Sequence, residues 1–411
     1  MDYLKAVRKV IFVACEAAVL FASVSARAQI DPVKRQLVQL GYNAALEGHP
    51  PQSIYAFYYQ NQPNFLRTNL TLRLAIAPTY LDSELGISHA FGENTDLGIG
   101  GAGGGYADNY REIRQGVFRI AESFTGYGAE PSLSVYHLFN PGHQIPLNGI
   151  LRGLFHYSTY ERDDNTAANF DLPPDHGTFS VRTGLRWGGK EPTLYPSVAM
   201  ELSAWYQGDF RTQSGHYGFD GDRVLKSDSH LFWGQALLAY TMPESKHSFY
   251  LGLIAGSSLD ADRFSAYRLG ALLPLVSEFP LSLPGYYYQE ISAKSFGLLG
   301  GNYMVPLDKK EQRWNVNITA STAVVDYLSG LEQRGNWHTG VGAGILYKTP
   351  TWKVMVGYGY GVDALRDGHK GAHSIGVLMQ LDWGEAKERL LNPGEAGRWR
   401  GLQQILGLFG S

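Results

Sequence analysis

The stretch Thr339–Tyr347, TGVGAGILY, with the two that follow it, Val354–Val362, VMVGYGYGV, and Ile375–Trp383, IGVLMQLDW, decides the fold. In the first, Val341, Ala343, Ile345 and Tyr347 share one parity, and Gly340, Gly342 and Gly344 the other. In the second, Val354, Val356, Tyr358, Tyr360 and Val362 alternate with Met355, Gly357, Gly359 and Gly361. In the third, Ile375, Val377, Met379, Leu381 and Trp383 alternate with Gly376, Leu378, Gln380 and Asp382. A period of two is that of a strand, whose successive side chains point to opposite faces. Runs of roughly ten residues exceed the ~5–6 of an ordinary soluble strand and match what a tilted strand needs to cross a bilayer. One parity is apolar with aromatics towards its ends, and the other is small or polar, which is the wall of a transmembrane antiparallel β-barrel.

The start of the chain places it outside the cytoplasm. Lys5, Arg8 and Lys9 form a basic segment, residues 10–24 an apolar one, and Ala26-Arg27-Ala28 a small-x-small cleavage site, so residues 1–28 are expected to be a cleaved signal peptide. The single cysteine, Cys15, lies in that leader, so the mature chain is expected to hold neither disulfides nor thiol chemistry. Beyond Ala28 no apolar run approaches the ~18 residues of a spanning helix. Aromatics are nevertheless plentiful, with 26 Tyr, 19 Phe and 8 Trp, beside 49 Gly. A wall that is apolar on one side only has this composition, and it escapes a hydropathy window. The leader takes four basic and two acidic residues with it, leaving 31 basic against 36 acidic and no basic cluster, which argues against a nucleic-acid partner.

The strand rhythm sets in at Asn69. Leu70, Leu72, Leu74 and Ile76 alternate with polar neighbours up to a turn expected at Asp82-Ser83. Further strands are expected over 84–91, 95–106, 132–139, 147–160, 178–187, 197–206, 230–242, 248–257, 290–305 and 313–327. Short connections such as Asp308–Gln312 take turns with longer ones such as Gln207–Ser229 and Asp363–Gly371, as periplasmic turns and external loops do in such barrels. The count is about 14 to 16 strands, and an even number leaves both ends in the periplasm. Residues 69–383 are therefore assigned to an outer-membrane barrel. Residues 29–68 are expected to be a periplasmic helix and lead-in, because Val33, Leu37, Leu40 and Ala44 fall at helical spacing and Ser53–Phe65 is undecided between a strand and an interfacial segment. Residues 384–411 carry Trp399, Leu402, Ile405, Leu406, Leu408 and Phe409 among charges, an amphipathic tail.

Charges in the expected strands fall on the non-apolar parity. Arg152, Arg182, Arg186 and Glu201 must face the lumen if these strands span, since an arginine against lipid at mid-bilayer costs about 2–4 kcal/mol. They form either an internal ion network or a surface that handles a passing substrate.

Asp262-Arg263-Phe264 with Gly270, then Leu283-Pro284-Gly285-Tyr286, Gly300-Gly301-Asn302 and Pro306-Leu307, resemble the lid loop and following strand of the bacterial surface antigen barrels, the outer-membrane assembly factors and two-partner secretion transporters. Five expected strands follow this loop, as in that family. The resemblance covers about a third of the chain, and it implies a lid entering the lumen, outer-membrane lipids as surroundings and a client polypeptide as partner. Three features depart from it, one being the 28-residue tail after Trp383, where the family usually ends at its last strand. Pro284 stands where the family's lid has an arginine, so that position cannot supply the family's contact to the inner wall, and few residues precede Asn69 to form periplasmic repeats. The glycines at 340, 342, 344, 357, 359 and 361 leave room for a loop against the wall, or serve curvature.

No cofactor or metal is expected. Gly98-Ile99-Gly100-Gly101-Ala102-Gly103 matches a dinucleotide motif by letter only, without a βαβ context. His369 and His373 lie in an expected loop, and the acidic stretches at Asp163-Asp164 and Asp220–Asp222 read as solvated. A barrel lipid hydrolase would pair a wall histidine with a serine, and His137 with Ser134 or His156 with Ser158 are the nearest candidates, outside any recognisable nucleophile motif. The expectation is a non-enzymatic transport-class barrel, with a passive diffusion porin or structural barrel as the alternative.

Overall fold

The computed structural model describes residues 30–51, 53–189, 199–273 and 279–391. The expected leader with Cys15, and the tail beyond residue 391, lie outside the described residues. Sixteen long strands form the wall: β1 (Arg35–Ala45), β2 (Ser53–Pro63), β3 (Leu70–Ala77), β4 (Tyr80–Ile87), β5 (Thr95–Gly104), β6 (Thr125–Leu138), β7 (Leu147–Glu161) and β8 (His176–Gly189), then β9 (Ala199–Arg211), β10 (Asp228–Thr241), β11 (Ser248–Leu259), β12 (Ile291–Pro306), β13 (Trp314–Tyr327), β14 (Trp337–Lys348), β15 (Trp352–Arg366) and β16 (His369–Asp382). Each pairs antiparallel with its neighbours in sequence, and β1 pairs with β16, from Leu37 opposite Asp382 to Ala45 opposite Ser374. The sheet thus closes on itself, which leaves no unpaired edge. A short helix, α1 (Trp383–Leu391), follows the last strand.

Parity sorts the side chains as period two requires. Val356 is 53% exposed on the outside, whereas Leu378, one strand away and on the opposite parity, is 1% exposed. Val341, Ile345, Ile318, Leu299 and Ile375 join Val356 in an outward apolar surface. That surface makes the closed sheet a transmembrane barrel rather than a sandwich, which would turn its apolar faces inward. Connections from odd to even strands include the long ones 105–124, 212–227 and 260–290, while the fully described connections from even to odd strands are short.

Three expectations are corrected. Residues 35–45 are the first wall strand and not a helix, and β2 makes the wall begin at Arg35 rather than Asn69. The spacing of Leu40 and Ala44, four apart, is common to both periods. Tyr42 breaks the tie by standing outward with Leu40, while Asn43 turns inward. The turn placed at Asp82-Ser83 falls at residues 78–79; Asp82 lies inside β4, facing Arg73 of β3 at 3.2 Å. The long loop expected over Asp363–Gly371 is a two-residue hairpin turn. Asp367 and Gly368 both have positive φ, 49° and 82°, the conformation an Asp-Gly hairpin favours.

Candidate functional site

The connection between β11 and β12 does not stay outside the barrel. At its root Asp262 accepts hydrogen bonds from both terminal nitrogens of Arg211 at 2.8 and 3.3 Å and from the Phe264 and Ser265 amides, with Arg211 and Asp262 nearly inaccessible to water. Arg263 reaches Glu112 of the 105–124 loop at 3.3 Å. Burial alone would lower the Arg263 guanidinium, but the Glu112 charge beside it holds it above its ordinary value. Phe264 packs among Tyr110, Phe124, Tyr160 and Tyr217. The consecutive residues Asp262-Arg263-Phe264 therefore anchor the loop by an ion pair to the wall, an ion pair to a neighbouring loop and an aromatic plug.

From there the chain turns inward. Tyr267–Leu269 adds a short antiparallel strand against Ile291–Ala293 of β12, and Gly270 at φ 148° takes a conformation that a side chain would obstruct, because a Cβ would lie 2.0 Å from the Tyr287 carbonyl oxygen. Leu269, Leu283 and Tyr286 are fully buried in an apolar cluster with inward residues of β11, β12 and β13. The loop tip meets the glycine face of β14 and β15. A Cβ on Gly285, at φ 86°, would sit 1.8 Å from the Gly361 amide nitrogen, and one on Gly340 would strike the Pro284 carbonyl at 2.3 Å. The glycines at 340, 342, 357, 359 and 361 thus give the loop a seat, whereas Gly344 adjoins only the β15 backbone.

Of the residues expected to form a lid, Asp262, Arg263 and Phe264 anchor the root of the connection, Gly270 turns the chain inward beside Tyr287, and Leu283, Pro284, Gly285 and Tyr286 lie against the inner wall. Pro284 brings no charge to the loop tip, and the wall supplies an arginine there. Arg366 of β15 donates to both carboxylate oxygens of Glu290, at 2.9 and 3.0 Å, and to the Gly285 carbonyl at 3.3 Å, and it stacks 3.5 Å over the Tyr287 ring. Arg366 and Glu290 are almost wholly buried. The Tyr286 hydroxyl meets His338 Nδ1 at 3.1 Å. Arg366, Glu290 and His338 were not singled out from the sequence. The Asp367-Gly368 dipeptide was the available signal, because it moves the turn and puts Arg366 on a strand.

On β8 and β9, Arg186 lies 3.4 Å from Glu201 and over the Trp205 ring, so these two expected charges are brought together. Arg152 and Arg182 stand opposite each other on β7 and β8 and take other partners. Arg152 donates to Ser132 at 3.0 Å and faces Glu130 at 3.6 Å, while Arg182 donates to Gln207 at 3.0 and 2.8 Å and lies over Trp233. His137 and Ser134 are an odd number of residues apart and fall on opposite faces. His137 meets Thr95 at 2.8 Å, and the buried Ser134 contacts Glu84 at 3.5 Å. His156 is held by Asp108 and Glu130, at 2.8 and 3.1 Å, rather than by Ser158. Among the described residues no three His, Cys, Asp or Glu side chains come together in a way that would hold a metal ion. Gly98–Gly103 lies within β5.

The external mouth carries a second structured unit. The 105–124 loop, the hairpin Gly215–Phe219 with Arg223–Leu225, and the lid root share the buried carboxylates Glu112 and Glu122, which Arg114, Arg223 and Arg263 surround. Burial pushes the Tyr110 and Tyr217 phenols well above their ordinary value, and for Tyr110 the neighbouring Glu112 charge adds to this.

A sixteen-strand barrel whose eleventh connection re-enters the lumen can be compared with solved structures. The fold is similar to that of the CdiB and BamA barrels. CdiB from Acinetobacter baumannii matches with a TM-score of 0.55 at 10% identity, over 85% of this chain and 60% of its own. BamA from Haemophilus ducreyi lacking POTRA domains 1–3 gives 0.53 at 10%, over 85% and 70%. CdiB from Escherichia coli gives 0.51 at 14%, over 85% and 63%. This chain therefore spans about three-fifths of the length of the CdiB proteins it matches. No family model and no curated protein matches its sequence. At these identities the likeness is one of fold.

Proposed function

We propose that this chain is an outer-membrane barrel that inserts or passes a polypeptide client, with the 260–290 loop acting as a lid that holds the lumen shut. The observation that carries this reading is the seating of Gly285 against Gly361. A loop that merely decorated the surface would not need a glycine at its tip packed against a glycine of the inner wall, nor a buried arginine to hold it there. The outward apolar surface supports lipid as the surrounding solvent, and the likeness to CdiB and BamA supports a polypeptide as the cargo class. The lumen charges Arg152, Arg182, Arg186 and Glu201 are read as internal wall contacts with no catalytic role, two of them lying over the tryptophans on which Phe279 of the loop packs.

Conductance of the purified full chain in planar bilayers tests this. The wild-type barrel should be closed most of the time with brief openings. Gly285→Val, whose side chain has no room against Gly361, should lengthen the open periods, while the folded barrel still shows the heat-dependent mobility of an intact β-cylinder in detergent gels. A steady open wild-type pore would instead assign the chain to passive diffusion.

A further inference from the structure

The inner wall of β9 and β10 carries an aromatic seat on which one ring of the loop rests. Trp205 and Trp233 stand directly opposite each other in the β9–β10 ladder. Their rings are parallel within 8°, with centroids 6.1 Å apart. Residues of the wall hold them so. Arg186 of β8 lies over Trp205 at 5.0 Å and faces Glu201 at 3.4 Å, and Arg182 lies over Trp233 at 5.5 Å while donating to Gln207 at 3.0 and 2.8 Å. Gly184 falls between these arginines on the same parity, and a Cβ there would lie 2.5 Å from the Trp205 ring, so glycine leaves the indole its room. Phe279 of the loop meets both indoles in T-shaped contact, its centroid 5.4 and 5.7 Å from theirs. Leu283 and Tyr286 of the same loop are fully buried, whereas Phe279 is only half-buried. Both indole N–H groups are buried and have no hydrogen-bond acceptor among the described residues. A phenyl ring is too weak an acceptor to relieve that cost.

We infer that Trp205 and Trp233 form a binding site for an aromatic side chain of a passing polypeptide, which Phe279 occupies as an internal stand-in. An aromatic ring favours edge-to-face contact with an indole, a preference an aliphatic side chain does not share. The two arginines fix the seat before a ligand arrives, so little ordering is lost on binding. A client residue also brings a backbone carbonyl with its ring, an acceptor for the indole N–H groups. A phenylalanine that only fastened the loop would sink completely, as Leu283 and Tyr286 do, but a half-buried ring on a preformed seat is one that exchanges. The site rests on the proposed polypeptide cargo for the source of the ring.

Binding of a fluorescent Gly-Ser peptide with one central phenylalanine to the full chain in lipid nanodiscs, read by polarisation, tests this. Phe279→Ala empties the seat and should tighten binding by about tenfold, roughly the worth of one well-placed aromatic contact. The same peptide with leucine in place of phenylalanine should gain little, which separates a vacated seat from a lumen that has merely become easier to enter. Trp233→Leu added to Phe279→Ala should abolish the gain. Arg186→Gln added instead, which keeps both tryptophans and guards against a misfolded variant, should reduce it. No gain on Phe279→Ala, equal gains for the two peptides, or a gain that survives both added substitutions would overturn the site. So would an emptied seat that takes a linear glucan in preference to the phenylalanine peptide. A steady open wild-type pore with phenylalanine-selective binding would refute only the gate, and a closed pore whose emptied seat ignores phenylalanine would refute only the seat.

Discussion

Arg366 shows how one side chain decides the state of the site. On the parity of β15 it belongs with Val356 and Val362, which face outward. The pairing of β15 with β16 shifts register between Gly361 and Leu365, so that Gly361, Ala364 and Arg366 all turn inward. Its partner Glu290 is fully buried, and removing the arginine leaves that carboxylate without its charge. Arg366→Met should destabilise the folded barrel by about 3–5 kcal/mol, as breaking one side of a buried pair does. Adding Glu290→Gln should recover most of the loss, because the orphaned charge then disappears. Urea midpoints of the single and double variants, compared in a double-mutant cycle, measure this coupling. Equal losses in the single and double variants would show that Arg366 acts through its stacking on Tyr287 instead.

At the scale of elements, the external cap formed by the 105–124 loop, the 215–225 hairpin and the lid root is a small folded core of its own, with Phe124, Phe170, Tyr217 and Leu225 shielded completely. Its two buried phenols give it a pH dependence of known sign. Folding raises their values, so their contribution is complete below about pH 10, where the free phenol titrates, and is lost as the pH climbs beyond that, because the unfolded cap ionises first. The cap should therefore loosen at alkaline pH before the wall does. Phenolate absorbance should rise together with protease cleavage between residues 105 and 124, while the wall keeps its circular dichroism. Tyr110→Phe, which removes one of these phenols, should move that onset to higher pH. Asp262, Arg263 and Phe264 at the loop root were singled out by their resemblance to a known family, and only the structure shows that each has a separate partner. The cap as a whole was not legible, because Glu112, Glu122 and Arg223 lie up to 111 positions apart and ordinary loop charges look the same until the fold buries them.

For the whole molecule the governing condition is that the outer face meets hydrocarbon and the inner face meets either the lid or polar partners. Val356→Arg, at an outward position in the middle of β15, should cost about 2–4 kcal/mol of barrel stability in a bilayer and much less in a loosely packed detergent. A barrel equally stable with arginine there in both solvents would not be spanning at that depth. Alternation along Thr339–Tyr347 and its neighbours was enough to establish the strands, the outward face, the closed sheet and the approximate strand number, because side-chain direction in a strand follows from sequence position alone. The residues of the β11–β12 connection were named from a resemblance to a known family, which alternation alone does not supply. What only the tertiary structure decided is where parity breaks and what lies across space. Residues 35–45 became a strand because β16 offers them a ladder, Arg366 turned inward because a bulge reversed its face, and Phe279 found its seat because Trp205 and Trp233 stand opposite each other only once β9 and β10 have paired.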